Sequence, residues 1–192
     1  MSGAIALFGT SADPPTLGHR ALLEGLLRHF PAVATWASNN PLKQHVAPLA
    51  LRTALLAAVV EAIHDPRLSL HQELSSPWAI DTLQRARQLW PDRTPVLVIG
   101  SDLAAAIHRW RQAEALLRDC RLALVPRQGW PLQAADLERL RQAGARVEVL
   151  PLAVPGTASS ALRSGGEASG DQLPVELRPL LLQHNPYRIS LP

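Results

Sequence analysis

A threonine and a histidine near the amino terminus have the spacing of a phosphate-binding pair. Thr16 and His19 lie three residues apart in Thr16-Leu17-Gly18-His19, shortly after an apolar run. In a helix this spacing puts both side chains on one face of the first turn. Free backbone N–H groups and the positive end of the helix dipole already favour an anion there. A hydroxyl and an imidazole aimed at one phosphate suit phosphoryl or nucleotidyl transfer, which depends on positioning and on stabilising charge at oxygen.

The residues before this pair form a loop that could approach the same phosphate. Gly9 can let the backbone turn tightly and come close to a ligand. Thr10 and Ser11 add hydroxyls, and Pro14 with Pro15 stiffens the entry into the helix. The pattern is neither a Walker A loop nor a G-x-G-x-x-G dinucleotide fingerprint. An ordinary capped helix is the alternative interpretation.

Two later segments could add positive charge at a phosphate. Lys43 follows a second apolar segment, where its ammonium could neutralise a triphosphate or simply lie solvated in a loop. We interpret nearby His45 as a surface residue. Ser159, Ser160 and Arg163 could clasp phosphate oxygens, because arginine offers paired donors, or could form a serine-rich helix cap.

A flat, hydroxylated ligand could be bound by a third group of residues. Gly100 ends an apolar segment and permits close approach, while Asp102 could accept a hydrogen bond from a ribose hydroxyl or a ring substituent. Trp110 could stack on a planar ring or belong to the core. Thr82 could face the same ligand or orient its own helix. The other tryptophans are expected to pack in the interior: Trp36, Trp78, Trp90 and Trp130.

Alternating strands and helices must position these residues. Short apolar, partly β-branched segments predict strands at 4–8, 32–37, 67–71, 95–99, 121–125 and 146–150. Helical periodicity predicts helices near 17–29, 49–63, 79–90, 102–118, 134–143 and 174–184. This rhythm predicts a Rossmann-like, doubly wound α/β fold with a mostly parallel sheet and helices on both faces. Ligands of such folds bind beyond the carboxyl ends of the strands, in the loops that carry the residues above.

Length and composition are those of one globular unit. A chain of 192 residues with 47% hydrophobic residues fits a single domain, 1–192, in which 155–192 forms a phosphate-clamp loop and a small helical segment. The absence of a leader or a bilayer-length apolar run predicts a cytoplasmic protein without a membrane partner. The net charge of +3 comes from dispersed arginines, which argues against a nucleic-acid partner. The single cysteine, Cys120, excludes an intramolecular disulfide and is expected to be a buried thiol.

The ordered motifs resemble the T-x-G-H/H-x-G-H nucleotidyltransferase superfamily, and within it the bacterial nicotinate mononucleotide adenylyltransferases. The first loop specifies the superfamily, and the later motifs are similar to the pyridine-nucleotide branch. The resemblance covers nearly the whole chain and is carried by Gly9 to His19, Ile80-Asp81-Thr82-Leu83, Val98-Ile99-Gly100-Ser101-Asp102 with Arg109-Trp110, Ala158-Ser159-Ser160-Ala161-Leu162-Arg163, and Leu173 to Tyr187.

The resemblance implies adenylyl transfer from ATP to nicotinate mononucleotide, giving deamido-NAD and pyrophosphate in NAD biosynthesis. It implies three sets of residues: reacting-phosphate ligands His19, Thr16, Lys43 and Arg163; ATP-phosphate ligands Gly9, Thr10, Ser11, Gly18, Ser159 and Ser160; and mononucleotide ligands Thr82, Gly100, Asp102 and Trp110. Mg²⁺ is expected to accompany ATP, held by phosphate and water without protein metal ligands. A homo-oligomer is left open.

Several alternatives share parts of this pattern. Thr10, Ala12 and Ala161 depart from the usual family residues, which leaves nicotinamide mononucleotide open as the acceptor. Adenylyl transfer to phosphopantetheine, or cytidylyl transfer to a phospho-alcohol, would use the same first loop. A non-catalytic nucleotide-sensing module would share the fold. A sequence-independent nucleic-acid binder would show steep salt-dependent binding to DNA.

Overall fold

A six-stranded sheet forms the centre of the molecule. The computed structural model describes residues 3–41, 43–152, 154, 159, 162 and 170–189. The strands are β1 Ala4–Thr10, β2 Val33–Ala37, β3 Leu68–Leu70, β4 Thr94–Gly100, β5 Arg121–Val125 and β6 Arg146–Val149. They are ordered β3-β2-β1-β4-β5-β6, and each neighbouring pair is parallel.

Helices connect the strands and cover both faces of the sheet. They are α1 Leu17–His29, α2 Leu49–Ile63, α3 Ala79–Leu89, α4 Ser101–Ala104, α5 Ala113–Asp119, α6 Ala134–Gln142 and α7 Arg178–Gln183. The predicted doubly wound α/β fold is confirmed. The inner strands β1, β2, β4 and β5 are apolar runs because helices on both faces of a parallel sheet bury both sets of strand side chains, whereas edge strand β6 is mostly exposed.

Side chains that alternate along the strands pack into two core layers, one on each face of the sheet. In β1, Ala6 and Phe8 pack with α1, α2 and the C-terminal helix, whereas Ile5 and Leu7 pack on the opposite face. The strands β4 and β5 alternate in the same way, with their other face against α3, α5 and α6. Burial on both faces fixes the pairing register of neighbouring strands. It thereby fixes the position along the sheet at which each strand ends.

The predicted continuous helix over 102–118 is wrong. Helix α4 is followed by a 3₁₀ turn at Ile107–Arg109, and α5 begins only after Gln112, which adopts a left-handed conformation with φ 53°. Ile107 and Leu116 are both fully buried in the same core layer. Burying both ends of the segment outweighs its helix propensity, and the bend carries Trp110.

The C-terminal segment is fixed to the first helix. A 3₁₀ turn at Val175–Leu177 leads into α7, within the region predicted as helical. Leu177 and Leu181 are buried in the core layer of α1 and α2. Arg20 on α1 donates hydrogen bonds from Nη1 to both carboxylate oxygens of Glu176, at 3.0 and 3.1 Å. This end of the chain therefore supports the helix that carries His19.

Two sequence expectations about side-chain burial have different outcomes. Trp36 is in the core, but Trp130 is 57% exposed and Trp78 is 37% exposed, so the expectation that all four tryptophans pack internally is wrong. Cys120 is buried as predicted, and burial raises the pKa of its thiol to about 11. Within the described ranges, no helix is both long and apolar enough to cross a membrane.

Candidate active site

The sheet order creates a crevice beside β1. The chain runs from β1 outward to β2 and β3 on one side, and then returns to add β4, β5 and β6 on the other. Loops after β1 and β4 therefore leave in opposite directions, and ligands bind in the space that this opens beyond the strand ends. The first loop carries Thr16 and His19, and the loop after β4 carries Asp102. The fold thus brings the predicted phosphate and mononucleotide segments to one edge.

The Thr16–His19 pair is built into the start of α1. Thr16 is the N-cap, and its backbone N–H donates to His19 Nδ1 at 3.1 Å. Thr16 Oγ1 lies 2.9 Å from the same nitrogen. Because a backbone N–H can only donate, Nδ1 is the acceptor and the neutral ring carries its proton on Nε2. His19 can therefore offer an Nε2–H donor to an oxyanion at the helix start.

The surroundings of His19 keep it uncharged. Burial and, to a smaller extent, the positive charge of Arg127 lower the pKa of His19 to about 4. Arg127 follows β5 at the same edge, and its Nη1 donates to Asp102 Oδ2 at 3.1 Å. Arg127 was not among the predicted site residues, although it follows a predicted strand as several of them do. At neutral pH the imidazole acts as a hydrogen-bond donor rather than as a cation.

This lowered pKa predicts an acid-sensitive fold. Between pH 6.5 and about 4 the unfolded chain binds a proton at His19 that the folded chain does not, so stability is lost as the pH falls. Urea unfolding at pH 7 and pH 4.5 should show that the wild type loses roughly 2 kcal/mol more than His19→Gln. Equal losses in the two proteins would contradict this assignment.

Two glycines of the predicted site, Gly9 and Gly100, make room for protein side chains. Gly9 lies within β1, paired with Trp36, so the predicted tight turn at Gly9 is wrong. A Cβ on Gly9 would stand 2.6 Å from Trp36 Cε2 and Cζ2. Gly100 ends β4, where a Cβ would collide with the Asp102 carboxylate. The Asp102 side chain therefore folds back over the end of its own strand.

The first loop is tied to the loop after β2. Thr10 O accepts the Ser38 N–H at 2.7 Å, while Thr10 Oγ1 accepts the Ala12 N–H at 3.4 Å. Gly18 is buried in the first turn of α1. Ser11 is partly exposed, and the Asp13–Pro14 peptide bond that follows is cis. The predicted phosphate-binding residues of this loop are thus neighbours at the end of β1 and the start of α1.

The loop after β2 contains Lys43, a predicted phosphate ligand, and His45, whose predicted surface position is wrong. Lys43 is exposed, and its backbone N–H donates to Asn40 O at 3.1 Å. His45 is not a surface residue, because its side chain is only 13% exposed and its Nδ1 lies 3.6 Å from Asp13 Oδ2. Burial lowers the pKa of His45, with further lowering by Arg52. Sequence spacing gave no signal for this long-range contact.

The second predicted phosphate clamp reaches the first loop. Ser159 Oγ donates to Pro14 O at 2.8 Å, so two segments far apart in the sequence meet at the end of β1. Ser160 and Arg163 lie outside the described residues. Ser159 is therefore the part of the predicted clamp that the structure places beside the first loop.

Other candidates lie on the side of β4. Ser101 Oγ donates to Trp130 O at 2.6 Å and accepts the Arg127 N–H at 2.9 Å, which joins the loops after β4 and β5. Trp110 is partly buried against the core layer of α3 and α5. Thr82 is 3% exposed and donates from Oγ1 to Leu74 O at 2.9 Å, so its hydroxyl has a partner within the fold. This contact favours the alternative in which Thr82 orients its helix.

A family model described as cytidylyltransferase-like matches residues 7–163, which include the first loop and the loops after β2, β4 and β5. The chain belongs to this cytidylyltransferase-like family. A protein of Synechocystis sp. named "Probable nicotinate-nucleotide adenylyltransferase" is 41% identical over 158 residues, covering 76% of this chain and 78% of the relative. A Thermus thermophilus protein of the same name is 33% identical over 169 residues, covering 83% and 84% of the two chains. The resemblance inferred from the motifs is confirmed.

Solved structures share the cytidylyltransferase-like architecture. A Plasmodium falciparum nicotinic acid mononucleotide adenylyltransferase complexed with NaAD has a TM-score of 0.79 at 17% identity, covering 97% of this chain and 98% of that one. The same protein complexed with APC has a TM-score of 0.76 at 17% identity, covering 98% of each chain. At these identities the likeness concerns the fold.

Proposed function

We propose that this chain transfers the adenylyl group of ATP to nicotinate mononucleotide, forming deamido-NAD and pyrophosphate in NAD biosynthesis. The observation that carries the proposal is the Thr16–His19 pair at the crevice beside β1, with His19 Nδ1 accepting the Thr16 N–H at 3.1 Å. The chain that carries this pair is 41% identical to a relative named for this activity. The hydrogen bond leaves Nε2–H as a fixed, neutral donor.

The reaction is one in-line displacement at the ATP α-phosphorus. An oxygen of the acceptor phosphate forms the new P–O bond, and the bond to the β-phosphate oxygen breaks, releasing pyrophosphate. His19 Nε2–H donates to a non-bridging α-phosphate oxygen, where negative charge is stabilised in the transition state. Thr16 holds the ring in place. The enzyme forms no covalent intermediate.

The remaining phosphate ligands come from the segments around the first loop. Lys43 and Arg163 supply positive charge, and Ser159 joins the first loop through its hydrogen bond to Pro14. Smaller contributions come from Gly9, Thr10, Ser11, Gly18 and Ser160. The helix N-terminus adds free N–H groups for the α-phosphate.

A magnesium ion would fit as a partner of the nucleotide. Within the described part of the chain, no three His, Cys, Asp or Glu side chains come together. We propose that phosphate oxygens and water hold the ion, as they often hold Mg²⁺ in nucleotide enzymes. When bound, it shields negative charge on the triphosphate.

The mononucleotide would lie beside the ends of β4 and β5. Gly100 leaves room for the Asp102 carboxylate, which can accept a hydrogen bond from a ribose hydroxyl. Trp110 offers an indole face to the pyridine ring. Thr82, on helix α3, stays a proposed neighbour of the mononucleotide. The cytoplasmic location stays a prediction, and a homo-oligomeric state stays open.

Removing the indole should weaken binding of the mononucleotide selectively. Trp110→Ala should raise the KM for nicotinate mononucleotide by roughly fivefold, since ring stacking contributes about 1 kcal/mol. The KM for ATP should change little, because ATP lies on the other side of the crevice. Steady-state kinetics with each substrate varied separately will measure this. Trp90→Phe, at the far end of α3, is the control, and an unchanged mononucleotide KM in Trp110→Ala would remove Trp110 from the site.

The acceptor itself is tested by comparison. Purified protein with ATP and Mg²⁺ is given nicotinate mononucleotide, nicotinamide mononucleotide or phosphopantetheine, and pyrophosphate release is followed. We expect the highest kcat/KM with nicotinate mononucleotide. A preference for phosphopantetheine would contradict the proposed acceptor.

A further inference from the structure

A buried arginine links the two loops of the proposed ATP site. Arg52 lies on α2, and its residue is only 1% exposed. Its Nη1 donates to Ser11 O and Ser38 O at 2.8 Å each, and its Nε donates to Ala47 O at 3.1 Å. These carbonyls belong to the loop after β1, the loop after β2 and the approach to α2. One guanidinium therefore joins three backbone segments.

Asp13 makes the reciprocal connection. Its carboxylate is fully buried and accepts the Val46 N–H at 2.9 Å and the Ala47 N–H at 3.1 Å. Ala47 is thus held at its N–H by Asp13 and at its carbonyl by Arg52. The segment that leads from Lys43 to α2 is fixed to the first loop by hydrogen bonds to charged groups, which are stronger than neutral ones.

The backbone between these contacts is itself strained. Ala12 has φ 48°, in the left-handed region that alanine rarely adopts. It lies between Ser11, which Arg52 holds, and Asp13, which holds the second loop. Such a conformation persists only where the surroundings determine it. The Arg52 and Asp13 contacts hold the two residues that flank Ala12, and Thr10 Oγ1 accepts the Ala12 N–H.

We propose that Arg52 is a positioning residue, which together with Asp13 fixes the first loop relative to the loop that carries Lys43. This proposal rests on the proposed function, in which both loops bind the ATP phosphates. Arg52 acts through backbone carbonyls and does not touch the substrate. A planar guanidinium suits this role because its donors point in fixed directions, whereas a lysine ammonium cannot reach three separated carbonyls equally well. The residues proposed to bind the mononucleotide are on other loops.

Kinetics should separate this role from a general loss of structure. Arg52→Gln should raise the KM for ATP by roughly tenfold and lower kcat, because several charge-assisted hydrogen bonds are lost. The KM for nicotinate mononucleotide should stay within about twofold, a change smaller than the loss of one hydrogen bond. The matched control is Arg67→Gln, since Arg67 Nη1 donates to Leu27 O at 3.0 Å at the opposite edge of the sheet. A parallel rise in both KM values would overturn the positioning role.

Hydrogen exchange tests the same proposal without requiring turnover. The amides of Val46 and Ala47 should exchange faster in Arg52→Gln than in the wild type, while amides of β4 and β5 keep their protection. Arg67→Gln should leave Val46 and Ala47 unchanged. If Arg52→Gln does not fold, Arg52→Lys, which keeps the charge but cannot reach the three carbonyls equally well, should show faster exchange at the same amides than the wild type. Unchanged exchange at Val46 and Ala47 would overturn the proposal even if the enzyme is active, whereas a wild type without turnover would overturn only the proposed function.

Discussion

Replacement of His19 by alanine is expected to lower kcat by roughly 30- to 1,000-fold, or about 2–4 kcal/mol, as for other single donors to a transition-state oxyanion. The reason is the fixed proton position. His19 Nδ1 accepts the Thr16 N–H at 3.1 Å, so Nε2–H is the donor available to the α-phosphate. The variant should remain folded, because His19 lies in the first turn of α1 and alanine is a good helix former. Pre-steady-state measurement of adenylyl transfer will give the change in the chemical step.

The control for this change lies on the same helix. His29 is in the last turn of α1 and is exposed, so His29→Ala alters the composition of α1 without reaching its N-terminal turn. We expect His29→Ala to retain wild-type kcat. Near-normal kcat in a folded His19→Ala protein would show that His19 does not stabilise the reacting phosphate.

Gly9→Ala is expected to lower the free energy of unfolding by about 1–3 kcal/mol, the usual effect of overpacking a core. The added Cβ would stand 2.6 Å from two ring atoms of Trp36, which is 5% exposed. Gly9 and Trp36 are partners in the β1–β2 pairing, so neither can move away without disturbing the sheet. The end of β1 that this substitution would strain also carries Thr10 and the first loop. Equilibrium urea unfolding of both proteins will measure the loss.

A double-mutant cycle identifies the cause of that loss. Trp36→Phe removes the indole atoms that a Cβ on Gly9 would meet, so the double variant should be more stable than the sum of the single effects predicts. Strict additivity would mean that the indole is not what excludes a side chain at Gly9.

The positions of the strands and of the first helix could be predicted because their causes are local. Buried parallel strands are short apolar runs. The observed bounds of all six strands agree with the predicted segments to within two residues. Helix α1 begins at Leu17, directly after the Pro14-Pro15-Thr16 sequence that signals a helix start. Since the site lies where strands end, these local signals also located the Thr16–His19 pair and Gly100.

The remaining features depend on contacts between distant residues. Arg52 lies in an apolar helix and has no sequence signal that separates it from a solvated arginine; its partners Ser11 and Ser38 come from two other loops. Asp13 was missed for the same reason. The break before α5 was missed because the segment contains neither glycine nor proline, and only packing of both halves in one core layer requires it.

Adenylyl transfer to nicotinate mononucleotide can be measured by following the α-phosphate of ATP. Purified protein is incubated with α-labelled ATP, Mg²⁺ and nicotinate mononucleotide, and labelled products and pyrophosphate are quantified together. We expect that the label appears in deamido-NAD in a one-to-one ratio with pyrophosphate. Absence of labelled dinucleotide, with either nicotinate or nicotinamide mononucleotide as acceptor, would contradict it.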